Sequence, residues 1–153
     1  MPKQSAGILL YRTKNKTTEV FLCHPGGPFY KNKEDAVWTI PKGEYENDEE
    51  PLTAAKREFK EETGKEIDGK FTPLNPVKYK SGKTVNAWAV KGDIDADSIR
   101  SNLFQLEWPP KSGKYIDVPE IDRAEWFSIE TAKQKILPAL IPLLNELVEK
   151  AIG

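Results

Sequence analysis

A chain of 153 residues, 38% hydrophobic and 31% charged, is the size of one ordinary domain and can bury a real core. Its 23 basic and 24 acidic side chains nearly cancel, so no global field recruits a nucleic-acid polymer or an anionic lipid surface. The single cysteine, Cys23, excludes an internal disulfide, and its place in the apolar run "VFLC" reads as a buried structural thiol.

In chain order, "AGILLYR" and "EVFLC" read as strands joined by the polar turn "TKNKTT". "HPGGPFYKNKEDA" is too rich in Gly and Pro for regular structure, and "VWTI" reads as a short strand ending at Pro41. Pro51 suits the first turn of a helix that runs to Thr63, with Gly64 just past its end. "PVKYKSG" and "KTVNAWAVKGD" form a hairpin turning at "KSGK". "LFQLEWPPKSGKYIDVPEIDRAEWF" holds one more strand, a proline-broken loop and a short strand at "AEWF". Ser128 is placed to cap a final helical region, "IETAKQKILPALIPLLNELVEKAI". There Ile136, Leu137, Leu140, Ile141, Leu144, Leu147 and Val148 recur at helical spacing. Pro138 starts a second segment, and Pro142 is expected to strain or kink it. No repeat or linker interrupts this order, and no segment reaches membrane-spanning length. The first residues lack a charged stretch leading into a long apolar run. The expectation is a single domain over residues 1–153, an α+β fold with a mixed sheet between helices, in the cytoplasm.

The helix at "REFKEETG" concentrates charge. At roughly 100° per residue, Leu52, Ala55, Phe59 and Thr63 fall on one side and should face the core. Glu58, Glu61 and Glu62 occupy the adjoining arc, where like charges repel. Lys56 and Lys60 point elsewhere, and Arg57 is spaced to pair with Glu61. A carboxylate cluster short of cations suits a hard ion such as magnesium. A solvated acidic face is the plainer explanation, weakened because this arc borders the apolar face instead of opposing it.

From Gly43 the chain reads "GEYENDEEPLTAAKREFKEETGKE", the pattern G-x5-E-x7-R-E-U-x-E-E-x-G-U with U apolar. That pattern is the Nudix box, and the chain resembles the Nudix hydrolase family. Gly43, Glu49, Arg57, Glu58, Phe59, Glu61, Glu62 and Gly64 match in register; Lys65 departs at the last apolar position. The resemblance implies an α/β/α sandwich and hydrolysis of a nucleoside diphosphate linked to a group X, by attack of water on phosphorus. It implies Mg2+, with Mn2+ as a substitute, held by Glu58, Glu61 and Glu62 and by a backbone carbonyl at Lys42 or Gly43. Arg57 would orient the glutamates, while Gly43, Glu49 and Gly64 would serve structure. For Glu49 a helix cap and a link to Arg57 both fit. "PKGE" and "KTVNAWAV" look most like the dinucleoside tetraphosphate hydrolase branch, which makes diadenosine tetraphosphate the first substrate to consider. Nucleoside triphosphates, ADP-ribose and nucleotide sugars are alternatives, as is a Nudix module that binds nucleotide without cleaving it. A calcium-responsive domain lacks its alternating oxygen ligands here.

Outside the box, Lys42 and Lys83 are candidates for phosphate contact, although lone lysines are commonly solvated surface. Tyr79, Phe29 and Trp38 could stack on a base, although aromatics on strands are commonly core. His24 has no sequence signature of a partner for acid–base work. Glu120, six residues before Trp126 on a loop entering a strand, is the first candidate for general base, as the resemblance implies, with Asp117, Asp122 and Glu125 as competitors. The expected partner is a small nucleotide, with no nucleic-acid polymer, membrane or protein partner.

Overall fold

The computed structural model describes residues 3–150. Two long strands, β1 (Gln4–Lys14) and β2 (Thr17–Pro25), form the antiparallel centre of a mixed sheet. Asn15 and Lys16 join them with φ of 52° and 64°, the left-handed pair that lets a tight turn follow the twist of its strands. After β3 (Lys42–Glu44) and α1 (Pro51–Thr63) come β4 (Thr72–Pro73), β5 (Val77–Lys78) and β6 (Thr84–Lys91). The chain continues through β7 (Leu103–Glu107), β8 (Tyr115–Pro119) and β9 (Ile121–Ser128). It closes with α2 (Ile129–Lys135) and α3 (Ile141–Lys150). The main sheet runs β4-β6-β1-β2-β9, with β3 on β1 and β5 on β6. Only β1 with β6 is parallel among the paired strands described, so the sheet is mixed.

Both faces of the central strands are covered, which is why "GILL" is a continuous apolar run and not an alternating one. Leu9, Val20, Leu22 and Val85 face Leu140, Leu143, Leu144 and Leu147 of the C-terminal helices. Ile8, Leu10, Phe21 and Cys23 face Ala54, Ala55 and Phe59 of α1. This is the expected α/β/α arrangement. Cys23 is fully buried, and burial pushes its thiol well above its ordinary range. Among the described residues no helix is long and apolar enough to cross a membrane.

Three local expectations are corrected. "VWTI" is not a strand: Trp38 and Thr39 make isolated bridges to Ile136 and Cys23, and regular pairing resumes only at Lys42, past Pro41. Pro41 lacks an N–H, and β9 already holds most of the outer edge of β2. The proline-rich stretch after Leu103 is a closed hairpin, β7 against β8, and the strand holding "AEWF" begins earlier, at Ile121. The Glu107 carboxylate accepts from the N–H groups of Lys111 and Gly113, both at 3.1 Å, and thereby orders the turn despite its prolines. Pro142 does not kink α3, because it lies in that helix's first turn, where its missing N–H is not required. Pro138 does begin a short 3₁₀ turn, and Ser128 does cap α2 by accepting from the Thr131 N–H. The end of the expected last helical run, Ala151 and Ile152, lies outside the described residues.

Phe59 is fully buried against Phe21, with ring centroids 6.3 Å apart, and anchors α1 to the sheet. Phe59→Ala should cost about 3–5 kcal/mol in denaturant unfolding. A loss below about 1 kcal/mol would show that α1 is held by something else.

Candidate active site

The site is assembled where β3 meets α1. Glu50 caps the helix, its carboxylate accepting from the Leu52 and Thr53 N–H groups, with Pro51 in the following position. Glu49 is thereby free for Arg57, whose Nε and Nη2 donate to its two oxygens at 2.8 and 2.9 Å. Of the two roles open to Glu49, the electrostatic link is the one observed. Arg57 Nη1 also donates to Glu58 at 2.8 Å and to Glu61 at 3.3 Å. The hydrogen bonds to Glu49 are the largest cause of the raised Arg57 pKa, and the same contact lowers the Glu49 pKa.

Glu62 differs from its neighbours. It is only 4% exposed, inside the buried face with Ala54, Ala55, Phe59 and Thr63, while Leu52, expected on that face, is half-buried. Its Oε2 accepts the Lys42 backbone N–H at 3.1 Å. Burial pushes its pKa up to about 8, with Glu120 the next cause and Lys42 opposing. Burial also raises Glu58, against the pull of Arg57, with Glu61 and Glu120 adding to the rise. Gly43 lies on Glu58: a Cβ there would overlap the carboxylate and force the Glu58 side chain to move from its present position. At the other end, Gly64 sits at φ 74° and donates its N–H to Lys60 O at 2.8 Å.

Glu120 joins β8 to β9 and is the one general-base candidate whose charge acts on Glu58, Glu62 and Lys42. Its three competitors are placed elsewhere. Asp122 Oδ1 lies 2.8 Å from His24 Nδ1, Asp117 pairs with Gln105 in the hairpin, and Glu125 pairs with Leu22 in β9. His24 does have a carboxylate partner, but it is fully buried and its Nε2 donates to Lys33 O at 2.6 Å, tying the Gly/Pro loop to the sheet. Trp38 is fully buried, which excludes it from stacking on a ligand.

Lys42, Tyr79 and Lys83 lie together. Lys42 Nζ is 5.9 Å from the Tyr79 ring centre, and the Tyr79 N–H donates to Lys83 O at 2.8 Å. Burial, with Lys83 nearby, lowers the Lys42 pKa, and Lys83 Nζ lies 3.6 Å from Glu44. Phe29 is 60% exposed on the Gly/Pro loop, with Lys33 Nζ 3.7 Å above its ring.

Glu58, Glu62 and Glu120 thus share one region with the Lys42 ammonium. Such a hard-oxygen set suits a divalent cation. Among the described residues no three ligating side chains converge on one coordination point, because Arg57 draws Glu58 and Glu61 to itself. Sequence reasoning missed Glu50 as the cap, which its place directly before Pro51 signals, and Asn102, which no local pattern marks.

The family profile described as NUDIX domain matches residues 1–147, and the chain belongs to that family. Its activity is accordingly hydrolysis of acid anhydrides in phosphorus-containing compounds. Among solved structures it resembles the C. elegans Ap4A hydrolase in a binary complex, at 22% identity, covering 99% of this chain and 98% of that one, with TM-score 0.67. It also resembles the NUDIX domain of Shewanella oneidensis NrtR complexed with ADP ribose, at 13% identity, covering 100% and 90%, with TM-score 0.67. A mutT/nudix family protein from Listeria innocua matches at 17% identity, covering 99% and 98%, with TM-score 0.61. No curated protein sequence matches significantly.

The raised Glu62 pKa has a stability consequence. Between the ordinary carboxylate range and about pH 8, the folded chain keeps a proton that the unfolded chain has released. More protons bound in the folded state means that stability falls as pH rises through this window. In EDTA, Glu62→Gln should remove that decline and raise Tm at pH 8 by about 5 °C, read by calorimetry. An unchanged pH slope in the variant would exclude Glu62 as its source.

Proposed function

We propose that residues 1–153 act as one cytoplasmic Nudix domain, a Mg2+-dependent pyrophosphohydrolase of dinucleoside polyphosphates, with diadenosine tetraphosphate as preferred substrate. The observation that carries this reading is the under-neutralised carboxylate set of buried Glu62, half-buried Glu58 and exposed Glu120 beside the Lys42–Gly43 backbone. Glu58, Glu61 and Glu62, with a carbonyl of Lys42 or Gly43, would hold the metal. When bound, Mg2+ or Mn2+ offsets phosphate charge and acidifies a coordinated water.

The chain's own residues divide the remaining work. Arg57, clamped by Glu49, keeps Glu58 and Glu61 in place. Glu120 accepts a proton as the water oxygen bonds to phosphorus and the anhydride oxygen departs with the electrons of the broken bond. Lys42 and Lys83 meet the phosphates, and Tyr79 and Phe29 offer rings to the bases.

ADP-ribose is a second reading, supported by the likeness to the NrtR domain complexed with that compound. A panel of diadenosine tetraphosphate, nucleoside triphosphates, ADP-ribose and nucleotide sugars, read by chromatography with Mg2+, separates the readings. The proposal expects ATP plus AMP from diadenosine tetraphosphate, and near-complete loss of turnover in Glu61→Gln and Glu62→Gln. Two ADP, or faster turnover of another compound, overturns the substrate; binding without product indicates a non-catalytic module. Glu120→Gln should lower kcat by about 10²-fold with little change in folding. Unchanged kcat there, with collapse in an Asp122 or Glu125 variant, would show the base to lie elsewhere.

A further inference from the structure

We propose that Asn102 is a positioning residue that sets both the backbone and the carboxylate of Glu120 against the end of α1. The inference rests on Glu120 acting as the base. It starts from the helix terminus, where the last carbonyls of any α-helix lack partners within the helix. Here two of them are taken by the strand-like segment preceding β7. The Arg100 N–H donates to Thr63 O at 2.7 Å, and the Asn102 N–H donates to Glu61 O at 3.0 Å.

The same segment holds Glu120 from its other side. Asn102 O accepts the Glu120 N–H at 3.0 Å. Ser101 Oγ donates to Asn102 O at 3.0 Å and accepts the Ile121 N–H at 3.0 Å, closing the junction. Glu61, Asn102 and Glu120 are therefore linked in series by two main-chain hydrogen bonds of 3.0 Å each. Gly64 serves this docking as well as the helix end, because a Cβ there would come within 3.0 Å of Arg100 O.

The Asn102 side chain completes the arrangement, its Nδ2 donating to Glu120 Oε1 at 3.5 Å. The Glu120 side chain is exposed, so water competes for its carboxylate and favours rotation outward. A neutral amide opposes that rotation without cancelling the charge a proton acceptor needs. An arginine in the same place would hold the carboxylate as Arg57 holds Glu49 and would lower its affinity for a proton. The length of the contact matches this role: it biases orientation and leaves the oxygen open to water.

The test is a double-mutant cycle on the full chain, using the fastest substrate of the panel with Mg2+. Asn102→Ala keeps the main-chain bonds, so Tm should stay within about 2 °C while kcat falls about 10-fold and KM changes less than about 2-fold. Asn102→Asp, nearly isosteric but without the donor and with an added negative charge, should lose more kcat than the alanine variant. In a Glu120→Gln background, Asn102→Ala should change kcat by less than about 2-fold, because the group it positions is already gone. An equal loss in both backgrounds overturns the proposal, since it marks a general structural role. Unchanged kcat in Asn102→Ala, with Glu120→Gln strongly impaired, overturns it while leaving the base assignment standing. Unchanged kcat in Glu120→Gln alone removes the base and this inference together.

Discussion

The candidate site depends on one constraint: Glu62 is held out of water, with Glu58 and Glu120 close enough to oppose its ionisation. Isolated, a buried carboxylate at neutral pH takes up a proton instead of a charge. The fold enforces the position all the same, because α1 turns Ala55, Phe59 and Glu62 toward the sheet together. Lys42 supplies one backbone donor and a partly buried ammonium, which is less than the cluster needs. A divalent cation held there would offset the deficit, and its binding would be coupled to loss of protons from the cluster.

Arg57 shows how the remaining charges are kept apart. Its fork is committed to Glu49, a residue outside the buried cluster, and only Nη1 reaches Glu58 and Glu61. A fork centred on Glu58 would have neutralised a carboxylate proposed to hold the metal. Anchored on Glu49, the guanidinium orients the helix carboxylates while leaving Glu62 uncompensated. Glu50 permits this by taking over the capping role, so adjacent glutamates serve different ends. The rest of the box is steric. Gly43 lets β3 lie on Glu58, and Gly64 lets the segment around Arg100 lie on the helix end.

What was legible in the sequence follows from the range of each interaction. α1, its proline start and its glycine stop are local, and the sequence marks them closely. The acidic arc was legible too, but not that Glu62 crosses into the core, since 3.6-residue periodicity gives direction and not depth. "VWTI" has strand composition, yet Pro41 and the β9 pairing on β2 leave it only isolated bridges. "EWPPKSGK" reads as a broken loop because prolines disfavour pairing, while the Glu107 carboxylate that orders it forms contacts no propensity records. Pro142 shows the limit of a residue rule applied without its position, since the helix boundary falls one residue before it. Asn102 and the His24–Asp122 contact join segments distant in the chain, and a single sequence carries no trace of such pairs.

The same distinction separates reaction from substrate. The groups proposed for hydrolysis sit on α1 and β3, which pack on the sheet, and at Glu120 between β8 and β9. The groups proposed to meet the rest of the substrate are Lys42 on β3, Tyr79 and Lys83 at the turn between β5 and β6, and Phe29 on the Gly/Pro loop. The turn and the loop are fastened independently, Tyr79 to Lys83 across the turn and the Gly/Pro loop through His24. Changes in either can alter which nucleotide is held without disturbing Glu62. Lys42 belongs to both sets, because its backbone N–H holds Glu62 while its ammonium is proposed to meet phosphate.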